Sequence, residues 1–344
     1  MAGTGEKRAN IADFRLSVDG NDFSDKARPR LVSITLTEQR GEESDQLDIV
    51  LDDTDGKLAL PKKGAEIVLQ LGWLQGADVS PGLVDKGKFK VDNVEWGGPP
   101  DQVTIRARAA NLTGGFRARR EKAHKDTTLG KIAREVADAN GYEAKVSPEL
   151  DEIAVPVLAQ HQKSDMALLR QLGREHDAVA TVKDRKLVLA PIGKAASITG
   201  KALPLLELTR ADLADYRYSE IERSADAGVE ARWHDQSSGE RKTVQAGGSV
   251  TAPEGKEPRR LRRVYHSQAK AEQAAKAAAA KAKRAEKSMD VTIALGRPDL
   301  VLEQPVKLSG LKDAIDAGSW ILAELTTTLD GNGLASKLKL EPKG

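Results

Sequence analysis

Residues 51–73 read LDDTDGKLALPKKGAEIVLQLGW. Two structures compete for this stretch: a cation-binding loop, and a connection between two strands. Asp53 and Asp55 stand at alternate positions before Gly56, as ligands do in a calcium loop. Such a loop also needs its glycine at the sharp turn and a bidentate Glu at its twelfth position. Counted from Asp53 or Asp55, the glycine comes too early, and the twelfth residue is Gly64 or Glu66. Glu66 itself belongs to an alternating run. Ile67, Leu69 and Leu71 fall on one face, and Glu66, Val68 and Gln70 on the other, the period of a strand with one wet side. Upstream, Leu47, Ile49 and Leu51 alternate in the same way. The Asp-Gly pair supplies one turn, and Pro61 to Gly64 another. The stretch therefore reads as strand, long connection, strand, with no metal assigned to Asp52–Asp55.

The same alternation extends across residues 12–110. FRLSVDG, RLVSITLTEQ, DQLDIVLDD, AEIVLQLGW, GKFKVDNVEW and DQVTIRARA are short strands separated by Gly, Asp or Pro. In GKFKVDNVEW the alternation slips between Val91 and Val94, which predicts a bulge. Strands of this kind with one polar face predict an antiparallel barrel or sandwich, here a first β-barrel over residues 1–110.

The period then changes. In DTTLGKIAREVADANG, Leu129, Ile132, Ala133, Val136 and Ala137 recur at helical spacing. Thr127 or Thr128 can cap this helix and Gly141 can stop it. A second helix follows in QKSDMALLRQLGREHDA, with Ser164 as N-cap, Asp165 at the positive end of the dipole, and Leu168, Leu169 and Leu172 as its buried stripe. VATVKDRKLVLAP reads as a hairpin turning at Lys183 to Arg185. Residues 111–195 form a small α/β module.

Residues 196–344 return to strands and are read as a second β-barrel. AGVEARWHD and ERKTVQAG form a hairpin through QSSG. MDVTIALG, QPVKLSG, GSWILAELTTTLDG and LASKLKLEP are later strands. Between the two sets, residues 267–287 are rich in alanine and predict a helix roughly 30 Å long. That helix is expected to lie flat on the second barrel's sheet through Ala271, Ala274, Ala275, Ala278 and Ala282. TAPEGKEPRRLRR, just before it, reads as a mobile, charged loop. The overall expectation is a mainly β chain with an α/β insert, built as two similar barrels that superpose.

The chain has 344 residues, 39% hydrophobic and 31% charged, with a net charge of +2 and no cysteine. Near-neutrality gives no global field for nucleic acid. The lack of cysteine removes disulfides and thiolate chemistry. Aromatics are only 3%, so small aliphatic residues do the packing, or burial is completed between subunits. No run reaches the roughly 18 apolar residues of a membrane span, and MAGTGEKRANIADF has no signal-type stretch. No membrane anchor is expected.

His124, His161, His176, His234 and His266 are dispersed, with no H-E-x-x-H. There is no G-x-S-x-G and no phosphate-binding glycine loop. A carboxylate pair assembled by folding leaves no such trace. Arg259, Arg260, Arg262 and Arg263 form the one basic cluster. It can touch phosphates, or face solvent or a partner chain. The second reading is preferred, with the cluster on the periphery. The alanine face of the helix is too weak for a membrane anchor.

Three stretches carry a family resemblance. HQKSDMALLRQLGREHDAVATVKDRKLVLAP resembles a block of the VgrG spike proteins and phage tail hubs, with Ser164, Asp165, Leu169 and Leu172 at its positions. Asp177-Ala178 stands where that block often has Gly. LDDTDGKLALPKKGAEIVLQLGW is similar to the first-barrel segment of the same proteins. AKAEQAAKAAAAKAKRAEKSMDVTIALGRPDLVLEQPVKLSGL with GSWILAELTTTLDGNGLASKLKLE resembles the C-terminal block of the phage late control gene D family. The resemblance implies two tube-like barrels flanking the α/β module. It implies a structural baseplate hub of a contractile phage tail or a phage-tail-like bacteriocin, with no catalysis, cofactor or metal.

The implied assembly is a homotrimer adapting a sixfold tail tube to a threefold spike and forming part of the axial channel. The implied partners are the tail tube protein, other baseplate proteins and a tape-measure protein in the channel. The second-barrel block reaches Gly344, so the central spike is expected to be a separate protein. Assembly in the bacterial cytoplasm and then incorporation into a particle follow from the same resemblance. The rival reading is a tail-associated peptidoglycan hydrolase or a carbohydrate-binding β protein.

Overall fold

In residues 46–52, Leu47, Ile49 and Leu51 are buried, while Gln46, Asp48, Val50 and Asp52 are not. The alternation read from the sequence is thus the burial pattern of a strand. The computed structural model describes residues 8–41, 44–109, 114–183, 185–195, 201–221, 228–248 and 257–343. Residue 184 of the predicted hairpin turn and residues 251–256 of the predicted mobile loop lie outside the described residues.

The chain begins with β1 (Ile11–Val18), β2 (Asn21–Asp22), the single turn α1 (Ser24–Ala27), β3 (Leu31–Gln39), β4 (Gln46–Asp52), β5 (Glu66–Gln75), β6 (Gly82–Gly97) and β7 (Gln102–Ala109). A middle segment holds α2 (Gly114–Arg117), β8 (Arg119–Thr128), α3 (Leu129–Ala139), β9 (Glu143–Val146), α4 (Pro148–Asp151), β10 (Ala154–Ser164), α5 (Asp165–Glu175), β11 (Ala178–Lys183) and β12 (Lys186–Pro191). Then come β13 (Leu206–Thr209), β14 (Leu213–Glu220), β15 (Val229–His234), β16 (Arg241–Ala246), β17 (Arg259–Tyr265), α6 (Gln268–Arg284) and β18 (Lys287–Ile293). The chain closes with β19 (Pro305–Ser309), α7 (Asp313–Asp316), β20 (Trp320–Asp330) and β21 (Gly333–Pro342).

The first and last β regions follow one pairing plan. In the first, β1 pairs with β5, β5 with β6, β6 with β7, β7 with β4, and β4 with β3. In the last, β13 pairs with β19, β19 with β20, β20 with β21, β21 with β18, and β18 with β14. Among the described residues they differ in direction at one pair, since β1–β5 is antiparallel and β13–β19 is parallel, and in β2, which pairs with β1 and has no counterpart beside β13. Even the irregularities correspond. The predicted bulge in β6 is found between Val91 and Asn93 against β7, and β20 carries one between Leu322 and Glu324 against β21.

The alternation did not disclose that the two sets are hydrogen-bonded into one sheet. β3 pairs with β20, giving a 13-stranded sheet ordered β14-β18-β21-β20-β3-β4-β7-β6-β5-β1-β2, with β13 and β19 attached at β20. Each set keeps its own apolar centre. Leu16, Ile34, Ile49, Leu69, Phe89 and Ile105 belong to one, and Leu208, Met289, Val291, Leu308, Leu325 and Leu338 to the other.

The middle segment forms as its caps dictate. The Thr128 hydroxyl accepts from Lys131 N at 3.3 Å and starts α3, and Gly141 takes a φ of +73° just past its end. The Ser164 hydroxyl accepts from Ala167 N at 3.2 Å and starts α5. The stripes of both helices meet Leu187 and Leu189 of β12 in a third apolar cluster. The antiparallel ribbon β8–β10 was not expected from the sequence. RREKAHKDTT buries only His124, so no apolar alternation marks β8 as a strand.

The Ala-rich helix falls in the last β region, but its packing corrects two expectations. It ends at Arg284, and Lys287 already begins β18. It does not lie on the large sheet. It rests on a separate three-stranded sheet ordered β16-β15-β17, where Ala271 and Ala275 meet Ala231 beside Trp233, Val244 and Tyr265. Ala274 is buried as expected, while Ala278 and Ala282 are only half-buried. Alanine facing alanine lets helix and sheet backbones approach closely, which the long aliphatic side chains of the large sheet would prevent.

Candidate functional site

The sequence offers no local catalytic motif, so the informative side chains are those that join elements distant in sequence. The seam between β3 and β20 is the first. Ser33–Gln39 run antiparallel to Glu324–Asp330, and the Thr37 and Thr326 hydroxyls approach to 3.5 Å. Beside it, Lys86 and Glu38 form an ion pair, and the Lys86 ammonium also donates to the Pro298 carbonyl at 3.1 Å. Trp73 donates its indole N–H to the Gly296 carbonyl at 3.0 Å. Arg40 lies between Glu303, at 2.7 Å, and Glu341. Burial works against the Arg40 charge, but the two carboxylates outweigh it and raise its pKa. Glu303 also accepts from Gly193 N at 2.8 Å, which ties the middle segment to the same seam.

Sequence reasoning missed these residues. Arg40 is 263 and 301 positions from its two partners, so no local motif exists. Glu38 did leave a signal: it continues the inward row of Ile34 and Leu36 and is buried with them. A carboxylate in an apolar row requires a partner.

The arginine cluster is the second surface. Arg259, Arg260, Arg262 and Arg263 lie on β17 and not in a loop. β17 runs parallel to β15. Its Leu261 and Tyr265 pack toward α6, so the segment does add to a small core, contrary to expectation. Two of the four charges are used internally: Arg260 meets Glu230 at 2.8 Å and Arg263 meets Glu175 at 2.9 Å. Arg259 and Arg262 are exposed and make no ion pair among the described residues.

Between α5, α6 and the seam lies a cleft of about 680 Å³, lined by Arg40, Arg174, Asp177, Arg263, Tyr265 and Arg284. Arg284, almost wholly buried, forks onto Asp177 at 2.5 and 2.7 Å. Next to it, His176 contacts Gln273 of α6 through Nδ1. Burial, with some help from Lys270, lowers the His176 pKa to about 4, against the opposing pull of Glu175. These contacts bind the helix to the middle segment.

The Asp-rich turn uses its carboxylates on protein donors. Asp53 Oδ1 accepts from Leu58 N at 2.9 Å, and Oδ2 from the Trp96 indole at 3.1 Å. Arg30 forks onto Asp55 at 2.5 and 2.7 Å, and this hydrogen bonding lowers the Asp55 pKa to about 2. Among the described residues, no group of three or more His, Cys, Asp or Glu is placed to hold a metal ion. No described helix is long and apolar enough to cross a membrane.

The phage tail baseplate hub (GPD) family model matches residues 35–333. The "Probable baseplate hub protein" of Escherichia phage 186 is 36% identical, over 96% of this chain and 92% of its own. A tail protein from Neisseria meningitidis MC58 shares the fold at a TM-score of 0.67 and 12% identity, with 98% of each chain covered. The E. coli c3393 protein, "a component of the type VI secretion system" similar to the T4 tail proteins gp27 and gp5, shares it at 0.53 and 10%, over 92% of this chain and 74% of its own. The chain belongs to the phage tail baseplate hub family, and is a structural part of the tail baseplate of a virion and not an enzyme.

Proposed function

We propose that this hub is a homotrimer on the tail axis, with the tail tube protein on one side and a separate central spike on the other. The observation that carries the reading is the repeat: one chain holds two strand sets with the same pairing plan and matching bulges. Three such chains present six similar units, which adapts a sixfold ring to a threefold one. The shared fold with the E. coli c3393 protein, itself similar to two T4 tail proteins, supports a place among the tail components. On this reading residues 1–110 and 196–344 are the two tube-like units and residues 111–195 the insert. Their wet faces line part of the axial channel, through which a tape-measure protein passes. Assembly takes place in the bacterial cytoplasm. Arg259 and Arg262 contact another baseplate protein. The test is the symmetry of this chain in an intact tail. Three copies around the axis between tube and spike support the proposal, and six copies or an off-axis position overturn it.

A further inference from the structure

α6 carries alanine on two sides. Ala271 and Ala275 close onto Ala231 of the small sheet. Ala274, Ala277 and Ala278 line the cleft of about 680 Å³ beside α5, and Lys281 continues that side of the helix toward its end. Ala275 is small because a sheet lies against it. Ala278 is half-buried because it faces the cleft, which its methyl group leaves open. The opposite wall is α5, where Arg170 and Arg174 stand one turn apart along the cleft. Half-buried Val179 of β11 and Ile192, just past β12, add apolar surface.

The charges of the cleft do not balance. Among the described residues its carboxylates are Glu175, Asp177 and Glu341, and each meets an arginine of the same cleft: Arg263, Arg284 and Arg40. What remains is positive. Arg170 on one wall and Lys281 on the other make no ion pair among the described residues. The Arg170 Nε is enclosed by protein and has no hydrogen-bond partner. An enclosed donor without an acceptor is a standing cost to the fold, and an arriving acceptor removes it. Like charges on facing walls repel across an empty cleft and draw an anion into it.

We propose that this cleft is a docking site for a short acidic segment of another protein of the tail, a stretch that mixes carboxylate and aliphatic side chains. Its carboxylates meet Arg170 and Lys281 from opposite sides, and its aliphatic side chains cover Ala278, Val179 and Ile192. The volume lies within the roughly 300–1,000 Å³ of clefts that take small ligands. It admits a few residues of chain and not a folded domain. A small inorganic anion engages the cations but leaves the apolar surface wet. A nucleic acid brings further phosphates against Glu175, Asp177 and Glu341. An acidic, partly aliphatic segment matches both the charge and the apolar surface, and a guanidinium receives a carboxylate through two parallel hydrogen bonds. The cleft lies within one chain, so it stands whatever the number of copies around the tail axis.

The test is calorimetric titration of the full-length chain with an end-capped hexapeptide of alternating glutamate and leucine. The lysine–leucine and serine–leucine counterparts and a single-stranded hexanucleotide are the controls. The glutamate peptide is expected to bind with a Kd of about 100 µM or below, and the controls at least about tenfold more weakly. In the variant Arg170→Gln with Lys281→Gln, the glutamate peptide is expected to lose at least about tenfold in affinity. Ala278→Leu fills the cleft without altering a charge and is expected to abolish binding. It also covers the case in which the double variant fails to fold. Equal binding of the serine or lysine peptide would reduce the cleft to an apolar groove, and equal binding of the hexanucleotide would assign it to phosphate. Either result overturns the proposal. So does binding that neither variant weakens, or no binding of the glutamate peptide up to about 1 mM.

Discussion

Lys86 and Glu38 meet at 2.5 Å with side chains only 5% and 7% exposed. A pair this deeply buried joins β6 to β3 and, through the Pro298 carbonyl, the first β region to the last. Removing one partner leaves the other charge in a desolvated site, which costs about 3–5 kcal/mol. Lys86→Met is therefore expected to lower the free energy of unfolding by about that amount. Replacing both partners, Lys86→Met with Glu38→Met, removes the stranded charge and is expected to recover most of the loss. Urea denaturation of the single and double variants measures the difference. Equal losses in both would show that the charge itself is not what the seam depends on.

Ala275 of α6 is fully buried against Ala231 of β15. A larger side chain there has no room without moving the helix off the sheet. Ala275→Leu is expected to cost about 1–3 kcal/mol. Ala278 is half-buried, so the same change there is expected to cost less. Thermal unfolding of both variants ranks them, and the opposite ranking would place the contact elsewhere on the helix.

The fold was legible where one side chain in two is apolar or where a cap marks a start. Leu47, Ile49 and Leu51, Thr128, Ser164 and the slip after Val91 all announced their elements, because local chemistry decides them. Family resemblance, not periodicity, supplied the hub reading. The strand β8 was hidden because a ribbon with two wet faces has no apolar period. The partner sheet of α6 is not legible, because an alanine stripe says that something approaches closely, and does not say what. β17 reads as a loop in the sequence because its charges hide Leu261 and Tyr265. The seam was invisible, since Thr37 and Thr326 are ordinary strand residues until the fold brings them together.

His176 has a folded-state pKa of about 4, below the ordinary value of 6.5, chiefly because burial disfavours its charged form. The unfolded chain therefore takes up this proton more readily than the folded one. The sign follows: the stability contributed by neutral His176 is fully present above pH 6.5 and is lost as pH falls from there to about 4. Carboxylates titrate near the bottom of this range, so the informative quantity is a difference between variants. His176→Gln is expected to flatten the fall in melting temperature between pH 6.5 and 4.5, relative to the unaltered chain. Parallel curves for the two proteins would remove His176 as the source.

Arg259 and Arg262 can be separated from their neighbours by what each does inside the chain. Arg260 and Arg263 answer Glu230 and Glu175, so reversing either places like charges together and is expected to loosen the sheet under α6. Arg259 and Arg262 are exposed on the same strand without an ion pair among the described residues. Reversing both, Arg259→Glu with Arg262→Glu, is expected to change stability by no more than about 0.5 kcal/mol. If these two charges contact another baseplate protein, the same variant should enter particles poorly although it folds normally. The oligomeric state of the isolated chain should be unaffected. Three measurements on one variant decide the matter: melting temperature, oligomeric state, and the amount of hub that sediments with assembled tails. Unchanged melting and oligomeric state with several-fold less hub in particles is the expected result. Normal incorporation would return Arg259 and Arg262 to ordinary solvated charges. A partner held by exposed charges also responds to salt, since screening acts over about 8 Å at physiological ionic strength. Tails carrying unaltered hub should therefore shed that partner as salt is raised, while the apolar contact of Ala271 and Ala275 with Ala231, which salt does not screen, holds α6 in place.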